Sequence, residues 1–74
     1  MSNANNTGDD PLLRWFNSDH LRPELQTVVG VYRNLAVGMV TALPASAERT
    51  VALRKLLESK DAAVRATVAH LGFD

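Results

Sequence analysis

The chain has no cysteine, and its 74 residues include only two histidines, three prolines and four glycines. Without cysteine there is no disulfide framework, no thiolate metal site and no cysteine nucleophile. His20 and His70 are too far apart in sequence to give metal-ligand spacing, so neither a metal nor a cofactor is expected. The glycines are isolated, which excludes a glycine-rich phosphate loop. Ser46 and Thr50 have no base at a useful spacing, and the chain is not expected to be an enzyme. Charge of one sign is also lacking, because eight Lys and Arg balance eight Asp and Glu. A domain that binds DNA or RNA polymers usually carries a clear basic excess. No apolar run approaches the roughly 18 residues that a membrane span requires. The opening MSNANNTGDD has neither a basic nor an apolar signal region, so a cytoplasmic location is expected.

What is present is short. A single core of this size rarely supplies more than about 3–5 kcal/mol, and with disulfides and metals excluded a partner subunit is the natural supplement. Six of the eight basic residues are arginine. Its planar fork grips phosphate and stacks on bases, which keeps compact phosphorylated ligands open.

The pattern predicts an all-α protein, an antiparallel two-helix hairpin behind an N-terminal arm with room for a short helix, assembled as a compact homo-oligomer. Residues 1–10 are polar and small and read as a disordered tail. Residues 11–22 form an arm in which Leu12, Leu13, Trp15 and Phe16 crowd together with neither helical nor strand period. Pro23 suits the first position of a helix, over about 23–42, with Glu24 in its first turn. Its stripe runs through Leu25, Val28, Val29, Tyr32, Leu35, Ala36, Met39, Val40 and Leu43, while Val31 and Val37 lie off it. Gly30 and Gly38 inside this helix suggest close packing or ligand approach. A loop at 43–46 leads through Ser46, a credible N-cap, into a second helix over about 47–71. There Leu53, Leu56, Leu57, Ala63, Val64, Thr67, Val68 and Leu71 form the stripe, and Gly72 suits the C-terminal stop. The short loop makes the helices antiparallel neighbours.

Few residues suggest chemistry. Trp15 and Phe16 read either as a hydrophobic anchor for the arm or as a platform on which a base stacks. The neighbouring Arg14 serves phosphate or solubility. Lys60 interrupts the apolar stripe as a snorkelling side chain, as an interface ion pair or as a cation lining a cavity. Arg49 and Thr50 near the start of the second helix suit an anion, or Arg49 pairs with a carboxylate. Arg54, Glu58, Asp61 and Arg65 are spaced for ion pairs along one helix face. His70 suits the C-terminal end of the helix dipole.

The stretch LPASAERTVALRKLLESKDAAVRA, preceded by HLRPELQTVVGVYRNLA, resembles the phage anti-CBASS sponge proteins, whose helical-hairpin domain is shared with phage anti-Thoeris sponges. The likeness spans roughly residues 15–71 and is most specific over Glu48-Arg49-Thr50, Ala52-Leu53, Lys55-Leu56-Leu57 and Lys60-Asp61-Ala62-Ala63-Val64-Arg65. It implies a compact homohexamer in the cytoplasm of an infected bacterium. Such a protein binds cyclic dinucleotides such as 3′,3′-cGAMP between protomers, and in some members cyclic trinucleotides at a second site. It sequesters them without degradation and so blocks CBASS immunity. The family's base-stacking aromatic falls on Trp15, with Phe16 next. Its helix-one phosphate lysine falls on Gly30, where this sequence departs from the pattern: either Arg33, one turn on, supplies the charge, or the backbone at Gly30 approaches the phosphate. For the second site the resemblance implies Arg65, with Arg49 and Thr50 as alternatives. The competing reading is a structural or regulatory helical oligomer that binds a host protein partner. A small nucleic-acid binder is a third, which the neutral charge disfavours.

Overall fold

The computed structural model describes residues 10–72, in which Asp10 opens the arm. The tail expected over residues 1–10 lies outside the described residues except at Asp10, where the expectation of disorder is corrected. The Asp10 carboxylate accepts from the Leu12 N–H at 2.9 Å, and Pro11 follows as the first residue of a 3-10 helix, Pro11–Phe16. A 3-10 helix has three residues per turn, so positions three apart lie over one another. Leu13 and Phe16 therefore face the same way, and both are buried. The arm has no 3.6-residue period because its period is three. Asn17 ends the turn, with its N–H on the Arg14 carbonyl at 3.3 Å and its side chain accepting from the Asp19 N–H at 3.2 Å.

Helix α1, Pro23–Ala42, begins at the proline. Gln26 holds its entry by donating to the Leu21 carbonyl at 2.9 Å. The helix stops at Leu43, whose N–H reaches the Met39 carbonyl at 2.9 Å, immediately before Pro44. Helix α2, Ala47–Leu71, starts where the Ser46 hydroxyl accepts from the Arg49 N–H at 3.1 Å. It ends at Gly72, whose φ of 73° is the left-handed conformation that glycine adopts without strain. The two helices form a hairpin, and the arm packs against both.

The core is small. Leu13, Phe16, Ala36, Val40 and Leu53 form its buried cluster, with Tyr32, Met39, Leu56 and Leu57 packed around it. Leu25 and Val29 extend burial along α1. The apolar stripes are wider than the burial they find. Leu35, on the expected α1 stripe, is 53% exposed, and Val31, off that stripe, is 65% exposed. Each points away from α2, because one neighbouring helix covers only one side of a cylinder. In α2 the stripe beyond Leu53 is no more than half-buried, and Leu71 is exposed. At Gly30 and Gly38 an added Cβ would meet nothing within 4 Å of the same chain. No close approach inside the chain explains them.

Two stability changes follow. Phe16→Ala empties the centre of the core and should cost about 3–5 kcal/mol, comparable to the whole stability of such a chain. Chemical denaturation followed by circular dichroism should find it largely unfolded, and a loss under 1 kcal/mol would contradict this packing. Gly38→Ala should raise the stability of the isolated chain by about 0.5–1 kcal/mol, because the helix gains propensity and the methyl has room.

Candidate functional site

One cavity of about 480 Å³ opens between the arm and the second half of α2. Its position follows from the arm's three-residue period. With Phe16 locked in the core, Trp15 is turned outward and is 52% exposed. The Arg14 guanidinium lies over the indole, 5.1 Å from the ring centroid, a cation–π arrangement. Asn17 and His20 continue the arm's side of the rim, Leu21 and Val29 supply apolar floor, and α2 supplies the opposite wall. On that wall Lys60 and Val64, and Asp61 and Arg65, sit four residues apart and so share one helix face.

The wall is predominantly cationic. Arg14, Lys60 and Arg65 are its three strongly basic side chains, His20 adds an imidazole, and Asp61 is the single carboxylate of the lining. Lys60 is largely withdrawn from solvent, its side chain 15% exposed, and its ammonium meets the Asp61 carboxylate at 2.8 Å. That contact corrects the expected ion-pair ladder. Asp61 is drawn to a half-buried ammonium that needs an anion, and Glu58 pairs with Lys55 at 3.7 Å between exposed side chains. The wall offers cations suited to phosphate, an indole face suited to a ring and an apolar floor. Among the described residues no three His, Asp or Glu side chains gather where a metal could be held.

The residues singled out in the sequence are distributed unevenly. Trp15 and Arg65 line the cavity together. Phe16 is fully buried and is an anchor rather than a ligand-facing ring. Gly30 is half-buried beside Val29 on α1, while Arg33 is exposed and outside the cavity. Thr50 donates its hydroxyl to the Ser46 carbonyl at 3.3 Å. Arg49 is 7% exposed and lies inside the protein. Its guanidinium donates to the Val40 carbonyl at 3.3 Å and the Leu43 carbonyl at 3.1 Å, and pairs with Asp10 at 3.1 Å. Arg49 and Arg65 are separated by about 24 Å of helix at 1.5 Å per residue, so they do not share one site within a chain. Sequence reasoning passed over Asn17, His20 and Asp61 as wall residues. Lys60 on an apolar stripe and Arg14 beside Trp15 were the signals that pointed here.

No protein-family model matches the chain, and neither the curated proteins nor the solved structures contain a match.

The cationic wall has a direct optical test, because Trp15 is the only tryptophan. Measured against free N-acetyltryptophanamide, which removes the greater intrinsic efficiency of iodide, iodide should quench its emission about twofold more strongly than caesium at low ionic strength, since the wall concentrates anions near the indole. Replacing Arg14, Lys60 and Arg65 by Gln should remove this excess. Equal normalised quenching by the two ions in the unaltered protein would mean that the charges do not act at the ring.

Proposed function

We propose that the protein binds and sequesters cyclic oligonucleotide second messengers, and that it does so as a phage-encoded inhibitor of CBASS immunity. The observation that carries the reading is the cavity in which Arg14, Lys60 and Arg65 surround an outward-facing Trp15 over an apolar floor. A cyclic dinucleotide offers two phosphates and two bases, and this wall complements one of each. The resemblance of residues 15–71 to the anti-CBASS sponges supplies the ligand class. Lys60, Arg65 and Arg14 supply the positive charge that Gly30 does not. Trp15 stacks on a base, the cations hold phosphate, and binding is stoichiometric, without turnover. Cyclic dinucleotides such as 3′,3′-cGAMP are the first ligands, and cyclic trinucleotides the second.

Assembly belongs to the same reading. The outer side of α1 carries Val31 and Leu35, both exposed, with Gly30 and Gly38 open beside them. In a homohexamer these surfaces meet neighbouring protomers, and two copies of the wall enclose one ring from both sides. The protein then acts in the cytoplasm of the infected bacterium. No described helix is long and apolar enough to cross a membrane. The exposed Val31 and Leu35 also suit a second reading, a regulatory helical oligomer whose outer face binds a host protein.

Incubation with 3′,3′-cGAMP, removal of free ligand, heat denaturation and chromatography test the proposal. Intact nucleotide should be recovered in stoichiometric amount. Degraded nucleotide would indicate a nuclease, and no uptake of cyclic di- or trinucleotides would end the sponge reading. Trp15→Ala should weaken uptake by about fivefold or more, from the roughly 1–3 kcal/mol of one base stack, with the oligomer intact. Loss of assembly with no small-molecule phenotype would favour the regulatory oligomer instead.

A further inference from the structure

We infer that Asp10 and Arg49 form a latch that positions Trp15 and Arg14 at the cavity, so that Arg49 serves the site without touching it. The part of this inference that concerns ligand rests on the function proposed above. Arg49 is 7% exposed, and Asp10 is 9% exposed at its side chain. A ligand in the cavity does not reach either of them, because neither lines it. Their contact at 3.1 Å is an ion pair that joins the arm to the hairpin. The Asp10 carboxylate divides its two oxygens between two tasks. Oδ2 takes the guanidinium of Arg49, and Oδ1 accepts from the Leu12 N–H at 2.9 Å. The first fixes where the arm starts, and the second fixes that it starts as a 3-10 turn. Four and five residues on, that turn delivers Arg14 and Trp15 to the rim.

Apolar contact alone does not set this register. Leu13 and Phe16 bury one side of the turn, but such contact is non-directional and tolerates sliding. A charged pair held by a guanidinium that is itself fixed to two backbone carbonyls is directional. The indole is therefore already in place when ligand arrives, which removes an ordering cost from binding.

The experiment uses the full chain and two readings. Asp10→Ser keeps an oxygen able to cap the Leu12 N–H but is too short to reach Arg49. Without ligand, acrylamide quenching of Trp15 should rise about 1.5–2-fold while the far-ultraviolet helical signal stays unchanged, because a released arm is more open to solvent. Affinity for 3′,3′-cGAMP by equilibrium dialysis should fall about tenfold or more, as expected when a supporting contact that preorganises a site is removed. Arg49→Lys, which keeps the charge but not the three-way geometry, should reproduce both changes in part. Unchanged quenching in Asp10→Ser overturns the latch. Raised quenching with wild-type affinity overturns its positioning role. Should Asp10→Ser lose the helical signal, Arg49→Lys carries the test, since it keeps a cation opposite Asp10, and unchanged quenching and affinity in that variant overturn the latch. If the unaltered protein takes up no cyclic dinucleotide, the proposed function fails, and the latch is judged on quenching alone.

Discussion

A buried guanidinium sets the terms on which this chain folds. Removing an arginine from water costs several kcal/mol unless its donors are met, and Arg49 is the one charged residue buried among those described. Its acceptors come from the end of α1, the interhelical loop and the arm. Pro44 explains why the α1 end is available. The Val40 carbonyl would ordinarily accept from the N–H four residues on, but that residue is Pro44, which has none. Arg49 fills the acceptor site that the proline leaves open. The Leu43 carbonyl, just past the helix, is satisfied in the same way. The match is incomplete, since the Arg49 Nε is buried without a partner. An unmet donor of this kind costs about 1–3 kcal/mol, so the remaining contacts must be worth keeping.

The arm is as necessary to the hairpin as the hairpin is to the arm. Two helices of unequal length, 20 and 25 residues, meet along one line and leave their outer sides in water. Without Leu13 and Phe16 the core would be reduced to Leu25, Val29, Ala36, Val40 and Leu53. A short helix with a period of three supplies both missing pieces, sending Leu13 and Phe16 inward and leaving Arg14 and Trp15 outside. Core and cavity wall are consecutive residues of one element. A change that tilts the arm therefore acts on stability and on the wall together, whereas a change to Trp15 itself acts on the wall.

The helices were legible because their ends carry strong local chemistry: Pro23 and Glu24 at one start, Ser46 at the other, and Gly72 in a left-handed stop. The arm was less legible because a period of three over six residues differs little from a crowded apolar patch. Asp10 looks like part of the polar tail because composition does not reveal a partner 39 positions away. For Arg49 the spacing near a helix start suits an anionic ligand or a carboxylate partner equally, and only the third dimension shows the partner to be Asp10. Trp15 and Arg65 were legible as separate candidates, but their sharing one wall depends on where α2 passes the arm. The exposed Val31 and Leu35 show the limit of periodicity, which locates an apolar face without saying what covers it.

Net neutrality hides a segregation of charge, and that segregation bears on the kind of ligand that fits. Arg14, Lys60 and Arg65 converge on one cavity, while much of the balancing acid lies elsewhere, as in Glu24 at the start of α1 and Glu48 at the start of α2. A nucleic-acid polymer needs positive charge spread along a groove, because its affinity grows with the number of phosphates neutralised. Here the charge is concentrated on one wall, and in the rest of the chain acidic residues outnumber basic ones. Asp61 sharpens the contrast. An entering phosphate must compete with this carboxylate for Lys60, and one weak electrostatic contact does not win that exchange. A ligand wins it by adding contacts of another kind in the same small volume, above all a ring laid against the free face of Trp15. The wall thus favours an anion that carries its own aromatic surface over one that carries charge alone.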